Sequence, residues 1–206
     1  IDLAMLQTLA APLGAEEGPP ATLPPLGQRI AIARDDAFAF IYPHLLDGWR
    51  AAGAELHFFS PLADEPPPSD CDAVFLPGGY PELHGERLSA AAAFKAGLLA
   101  ARDRQSLIYG ECGGFMVLGD VLVDKSGQGH AMAGLLPVTT RIDRPRRVLG
   151  YRQLAQGGDL PWPLRLRGHE FHYSSAKQSR LPPLFAAVDA RGEPLPPMGA
   201  VIGRVM

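Results

Sequence analysis

The chain is poor in cysteine, in long apolar runs and in surplus charge, and each shortage excludes a class of protein. Two cysteines in 206 residues cannot build a disulfide framework or, alone, a zinc site, so we expect a reducing cytoplasm and no metal. Nineteen basic residues against 22 acidic ones give a net charge of −3, which offers no reason to expect nucleic acid as a partner. No apolar run approaches the roughly 20 residues of a membrane span.

What is present is the balance of a soluble globular protein, with 47% hydrophobic and 20% charged residues. Residues 1–11 have the spacing of a short amphipathic helix. Residues 12–27 are rich in Pro, Gly, Ala and Glu, which predicts a linker, and residues 28–206 are interpreted as one domain. The chain begins with Ile1 and has no basic segment ahead of an apolar one. We therefore expect no secretion signal, and we expect residues 1–27 to be the linker from a missing N-terminal domain.

Apolar strands alternate with helical patterns over the first half of this domain. Near-continuous apolar strands of this kind predict an α/β fold, with a mostly parallel sheet and helices on both faces. Strands are predicted at 29–34, 55–60, 72–76 and 106–109, and helices at 38–52, 81–103 and 115–118. After about residue 120 the pattern predicts a β-rich antiparallel extension, with strands at 135–142, 148–154 and 164–173.

The strongest local signal is the segment SLIYGECGGFMVLG at residues 106–119. An apolar strand runs into Gly-x-Cys-x-Gly and then into a helix, which is the pattern of a nucleophile elbow with sulfur in place of oxygen. Cys112 would lie at a helix N-terminus, where the dipole and free N–H groups favour a thiolate. The N–H of Gly113 would face a developing oxyanion. The alternative is a buried structural cysteine, the interpretation that we give to Cys71.

A thiol nucleophile needs a base, and RGHEFHYS at residues 167–174 offers two of the six histidines. If this segment is a strand, Glu170 and His172 share one face and His169 points to the other. His172 is then the candidate base for Cys112, and Glu170 is a possible orienting group. A polar cluster at a strand end is an equally open interpretation.

A second loop follows the third strand directly, with the sequence Pro77-Gly78-Gly79-Tyr80. Two glycines allow the backbone to approach a ligand closely, so Gly79 could supply a second oxyanion donor. A tight turn before a helix is the alternative. Arg34, Asp35 and Asp36, after the first strand, could either line a site or cap the next helix.

Together, PGGYPEL, YGECGGFMVLG and GHEFHYS resemble the class I, triad-type glutamine amidotransferases. They are similar to the glutaminase domain of cobyrinic or hydrogenobyrinic acid a,c-diamide synthases. The resemblance implies that Cys112 attacks glutamine, that His172 shuttles the proton, and that Gly79, Gly113 and Tyr80 bind the substrate.

The resemblance also implies a division of labour within a longer protein. This domain needs no cofactor, because no phosphate-binding loop occurs here. ATP and Mg²⁺ belong to a missing N-terminal synthetase domain that carries the corrin substrate and receives the ammonia, and a homodimer is compatible with the family.

One position departs from the usual triad pattern. Typical triad enzymes carry Glu two residues after the catalytic His, and here that position is Ser174. Cobalamin-type relatives share the departure, which implies a Cys-His dyad. Two other functions stay open at this point: a Cys-His amidotransferase for another acceptor, such as a cell-wall lipid precursor, and a non-catalytic docking module.

Overall fold

The computed structural model describes residues 2–10, 22–178 and 181–206. At its centre lies a parallel sheet with strand order β2-β1-β3-β4. Every residue of β3 and β4 is buried, as expected for strands covered on both faces, which explains their uninterrupted apolar sequences. The strands are β1 (Arg29–Ala33), β2 (Glu55–Phe59), β3 (Ala73–Leu76) and β4 (Leu107–Gly110).

Helices cover both faces of this sheet, as predicted. Alternate residues of β1 enter two separate cores: Ile32 lies with Trp49 of α2 in one, and Ala31 lies with Phe94 of α4 in the other. The helices are α1 (Leu3–Leu9), α2 (Pro43–Ala51), α3 (Gly85–Ala90), α4 (Ala92–Asp103) and α5 (Gly113–Leu118).

The first predicted helix of the domain, over 38–52, is shorter than expected. It begins only at Pro43, because proline disfavours helical backbone in the residue before it. Phe40 instead forms a β-bridge with Gly78, which brings this segment to the Pro77-Gly78-Gly79 loop.

The prediction of a single helix over 81–103 is wrong. A 3-10 turn, α3 and α4 occupy this segment, and the backbone breaks at Ala91, where ψ is 83°. The N–H of Phe94 in the first turn of α4 donates to Asp64 Oδ1 at 2.9 Å. A carboxylate from a distant loop therefore caps α4 and favours a new helix start over a continuous helix.

The chain after residue 120 forms two further four-stranded sheets. One has the order β10-β7-β5-β6 and is mixed, since β5 and β7 pair in parallel. The other, β12-β11-β8-β9, is antiparallel throughout. The strands are β5 (Val121–Val123), β6 (Gly129–Ala131), β7 (Val138–Arg141), β8 (Val148–Gln156), β9 (Arg165–His172), β10 (Ser175–Gln178), β11 (Phe185–Asp189) and β12 (Pro194–Met198). The predicted β-rich extension is present, although five of its strands (β5, β6, β10, β11 and β12) were not predicted.

The predicted linker is described only in its last part, because residues 11–21 lie outside the described residues. Leu26 is buried, and the indole N–H of Trp162 donates to the carbonyl of Pro24 at 2.9 Å. Residues 22–27 therefore lie against the domain, and the boundary at Gln28 stays a prediction. Within the described ranges, no helix has the length and apolar character needed to span a bilayer.

The last residues of the chain add a further edge to the parallel sheet. Val205 forms a parallel bridge with Ile108. The N–H groups of Ile108 and Gly110 donate to the carbonyls of Arg204 and Met206 at 2.9 and 2.8 Å. β4 is therefore hydrogen-bonded on both sides along the approach to Cys112.

Candidate active site

The segment from β4 to α5 forms the sharp turn that the sequence predicts. Cys112 lies between them with φ 52° and ψ −109°, a backbone region that residues with a side chain rarely adopt. Its neighbours have to be small. A Cβ atom on Gly114 would lie 1.9 Å from the carbonyl oxygen of Leu76, and one on Gly110 would lie 2.7 Å from Leu118 Cδ1.

The loop after β3 brings a second backbone against the same cysteine. A Cβ atom on Gly78 would lie 3.2 Å from Cys112 Cβ, and the N–H groups of Gly113 and Gly79 lower the pKa of the Cys112 thiol. A Cβ atom on Gly79 would lie 2.1 Å from the carbonyl oxygen of Ala37, and one on Gly113 would lie 3.0 Å from the nitrogen of Gly79. Glycine at both positions therefore allows the two N–H groups to converge on one point, which is the geometry of an oxyanion hole.

Tyr80 follows this loop with its ring turned toward Phe40. The two rings meet edge to face, with centroids 5.1 Å apart. The Tyr80 side chain is 48% exposed. The structure therefore places Tyr80 beside the Gly79 donor, and its role in binding substrate stays a prediction.

The electrostatics of Cys112 differ from the sequence-based expectation. The residue is exposed, yet burial of the thiol by surrounding protein raises its pKa above the ordinary value. The N–H groups of Gly113 and Gly79 lower the pKa, while Glu111 and Glu82 raise it further. The N–H donors favour the thiolate as expected, but desolvation outweighs them, so the net shift of the thiol pKa is upward.

Cys71 is the structural cysteine that the sequence predicts. It is buried in the core, and burial raises the pKa of its thiol to about 11. A thiol in this state is a poor nucleophile.

Glu170 and His172 share a face of β9, as the alternation predicts. Both are half-buried, while His169 between them is exposed. The imidazole Nε2 of His172 lies 2.8 Å from Glu170 Oε1, and its Nδ1 donates to the carbonyl of Ser174 at 2.9 Å. Both ring nitrogens of His172 are therefore engaged by groups of its own strand and the turn that follows.

The other oxygen of Glu170 is held by an arginine on the neighbouring strand. Arg152 Nε donates to Glu170 Oε2 at 2.7 Å, and both side chains are at least four-fifths buried. Sequence reasoning did not find Arg152, because the pairing of β8 with β9 brings it there.

In the described part of the chain, no hydrogen bond joins His172 to the Cys112 thiol: both ring nitrogens are taken up by Glu170 and Ser174. The roles of His172 as base and of Glu170 as orienting group stay predictions.

The contacts of Asp35 show what its carboxylate does. It accepts from Ala37 N–H, Ser60 Oγ and Leu62 N–H at 2.8 to 2.9 Å. It therefore holds two loops together.

Glu111 is a site residue that the sequence analysis missed. Its N–H donates to the carbonyl of Leu76 at 2.9 Å, which fixes it between β3 and β4. Burial raises the pKa of its carboxyl to about 7. The signal that could have found it is its place directly before the nucleophile.

A known domain family matches most of the chain. The CobB/CobQ-like glutamine amidotransferase domain matches residues 29–205. The chain belongs to this family. The predicted family and the predicted enzyme class are confirmed.

Two similar curated proteins carry the same name. The hydrogenobyrinate a,c-diamide synthase of Brucella abortus biovar 1 is 53% identical over 186 residues, which are 90% of this chain and 43% of that protein. That of Rhodobacter capsulatus is 49% identical over 210 residues, 97% of this chain and 47% of that protein. The amidotransferase domain thus spans less than half the length of these relatives.

A solved structure supports the fold. A glutamine amidotransferase from Thermotoga maritima matches with a TM-score of 0.53 at 17% identity, covering 86% of this chain and 72% of that chain. At this identity the likeness shows the fold alone, and it confirms the predicted α/β class for this amidotransferase domain.

Proposed function

We propose that the amidotransferase domain hydrolyses glutamine through a thioester on Cys112 and supplies the ammonia for amidation of the a and c carboxylates of a corrin precursor. The observation that carries this proposal is that the Gly78-Gly79 backbone packs against Cys112 and Gly113, where the N–H groups of Gly79 and Gly113 lower the pKa of the thiol. An exposed thiol at a strained turn beside two backbone donors has the parts needed for acyl transfer.

The reaction begins with glutamine placed so that its amide carbon meets the sulfur. As the S–C bond forms, the thiol proton passes to a base and the carbonyl oxygen becomes an oxyanion, which accepts from Gly79 and Gly113. The C–N bond then breaks, and the nitrogen takes a proton and leaves as ammonia. Water attacks the thioester, releases glutamate and returns the proton to the thiol.

The raised pKa of the Cys112 thiol makes the base necessary, because little thiolate is present at neutral pH without one. His172 is the proposed base. To accept a proton it needs one free ring nitrogen, so its bond to Glu170 or to Ser174 opens when it engages Cys112. The carboxylate of Glu170, fixed by Arg152, then stabilises the imidazolium that forms.

The corrin acceptor is proposed from the names of the relatives and belongs to the rest of a longer protein. Their full length leaves room for a synthetase domain, which would use ATP and Mg²⁺ to activate the carboxylates. These names favour a corrin over a cell-wall lipid precursor. We also propose a cytoplasmic location, and a homodimer stays a prediction.

Labelling with a glutamine-directed diazo-ketone, followed by peptide mapping, tests the nucleophile. We expect the label on Cys112 and none on Cys71. Cys112→Ala should abolish glutamine hydrolysis, while Cys71→Ala, the matched control, should retain it. Wild-type activity in Cys112→Ala would refute the assignment.

The two histidines of β9 test the base. His172→Ala should lower kcat roughly 10²- to 10⁴-fold, the usual contribution of a general base. His169→Ala, an exposed neighbour on the same strand, should lower it far less. If His169→Ala lowers kcat more than His172→Ala, the base is His169 and the assignment to His172 is wrong.

A further inference from the structure

The backbone of Phe40 holds the loop that carries the Gly79 donor. Its N–H donates to the carbonyl of Gly78 at 2.9 Å, within the β-bridge that joins the two residues. The side chain reaches the same place, since a Cβ atom on Gly78 would lie 3.1 Å from Phe40 Cδ2 and 3.2 Å from Cys112 Cβ. Gly78 is therefore enclosed between Phe40 and the nucleophile.

The bond to the Gly78 carbonyl sets the direction of the Gly79 N–H. A trans peptide unit is planar, so its C=O and N–H groups point in opposite directions, and no described peptide bond is cis. With the Gly78 oxygen held by Phe40, the Gly79 N–H points away from Phe40. On the elbow side, a Cβ atom on Gly113 would lie 3.0 Å from the Gly79 nitrogen, and the Gly79 N–H lowers the pKa of the Cys112 thiol. The anchor at Phe40 therefore aims this donor at the elbow.

The Gly79 peptide needs such an anchor because its own N–H is not held by the protein. Gly79 is buried, and among residues 2–10, 22–178 and 181–206 no oxygen atom accepts from its N–H. A buried N–H without an oxygen acceptor is costly, so an unrestrained peptide would turn to find one. The same segment adds a second restraint, since a Cβ atom on Gly79 would lie 2.1 Å from the carbonyl oxygen of Ala37.

We infer that Phe40 is a positioning residue for the oxyanion hole, because its N–H keeps the Gly78-Gly79 peptide turned so that the Gly79 N–H faces the oxyanion. The inference rests on the proposed function. An oxyanion donor is effective when it already points at the developing charge, since no reorganisation is then needed during the reaction. A donor that acts mainly in the transition state affects kcat rather than KM.

The local backbone allows the N–H of Phe40 to be removed without disturbing its turn. The N–H of Ile41 donates to the carbonyl of Ala39 at 3.0 Å, which encloses Phe40 in a three-residue γ-turn. Phe40 is not among the described non-glycine residues with positive φ, so this is the inverse γ-turn, with φ of about −75°. Proline has a φ of about −65° and no N–H, and Phe40→Pro therefore suits the turn.

The test compares Phe40→Pro with Phe40→Ala in the full-length protein by measuring glutamine hydrolysis. Both variants lack the ring, and only the proline variant also lacks the N–H. We expect kcat to be roughly 10- to 100-fold lower in Phe40→Pro than in Phe40→Ala, a part of the 10²- to 10³-fold that loss of an entire oxyanion donor costs. KM should be the same in both variants.

Alkylation of Cys112 by iodoacetamide separates orientation of the donor from general damage to the site. In this reaction the sulfur displaces iodide and no oxyanion forms. Measured above the pKa of the thiol, where ionisation is complete, the rate should equal that of the wild type in both variants. Phe58→Ala is the control for loss of a ring, because Phe58 packs against the Arg34 guanidinium at 4.0 Å, and its kcat should be unchanged.

If Phe40→Pro does not fold, as judged by circular dichroism, phenyllactic acid incorporated at position 40 removes the N–H and keeps the ring. The ester should then show the same fall in kcat relative to the wild type. Equal kcat with and without the N–H would overturn the inference, and so would a fall matched by slower alkylation or by a higher KM. If the wild type releases no ammonia from glutamine, the proposed function itself fails, which is a separate outcome.

Discussion

The strained backbone at Cys112 predicts that glycine is the more stable replacement there. We expect Cys112→Gly to be more stable than Cys112→Ala, although both lack the nucleophile. At φ 52° and ψ −109° a residue with a Cβ atom stores about 1–3 kcal/mol, which glycine does not. Glycine gains about 0.5–1 kcal/mol of freedom in the unfolded chain, which opposes this gain. The net advantage of Cys112→Gly is therefore up to about 2.5 kcal/mol.

Cys71 provides a control of the same residue type. It is not among the described non-glycine residues with positive φ, and it is buried. Cys71→Gly should therefore be less stable than Cys71→Ala by about 1 kcal/mol, since glycine adds freedom to the unfolded chain and removes a buried methyl group.

Urea unfolding followed by circular dichroism gives the free energy of unfolding for all four variants. The expected result is opposite signs for the two alanine-to-glycine differences. If Cys112→Gly is no more stable than Cys112→Ala, the turn is not strained in solution and the argument from its backbone angles is refuted.

Three further predictions concern packing and ionisation. Gly114→Ala should cost about 3 kcal/mol or more of folding free energy, because its Cβ would meet the Leu76 carbonyl at 1.9 Å. Gly48 is another helical glycine, and its nearest contact would be at 3.4 Å. Gly48→Ala should therefore leave the free energy of unfolding unchanged or raise it by up to about 1 kcal/mol, as measured by urea unfolding. Because burial raises the pKa of Glu111 from 4.5 to about 7, the folded state binds this proton more tightly than the unfolded chain. The contribution of Glu111 to the free energy of unfolding is therefore full below pH 4.5 and is lost as pH rises to about 7, by roughly 3 kcal/mol at most. Glu111→Gln should flatten the curve of stability against pH in this window. An unchanged curve would contradict the raised pKa of Glu111. Alkylation of Cys112 without glutamine should reach its half-maximal rate above about pH 8.5, and a midpoint below pH 8 would show that the thiol is not desolvated.

The elbow could be predicted from sequence because its constraints are local. Gly110 and Gly114 surround Cys112 at fixed spacing. Gly110 is required by Leu118 of the same strand–turn–helix unit, whereas Gly114 is required by the carbonyl of Leu76 at the end of the neighbouring strand. The shared face of Glu170 and His172 likewise follows from the alternation of a single strand.

Other features depend on residues that only the fold brings together. The alanine-rich run over 81–103 has uniform helix propensity, and its break is associated with a cap from Asp64, 30 positions before Phe94. The raised pKa of Cys112 reflects burial together with Glu82 and Glu111, and burial cannot be obtained from the motif. β12 was missed because three of its five residues are proline, and its place at the edge of a sheet makes that composition tolerable.

The two donor loops leave neighbouring strands whose register is fixed, with Leu76 opposite Gly110. The distance between the Gly79 and Gly113 N–H groups is therefore tied to the spacing of adjacent strands, about 4.8 Å, rather than to loop conformation. Changes on the outer helices should leave this distance unaltered. A slip of one strand against the other would separate the donors even if every residue of both loops were kept.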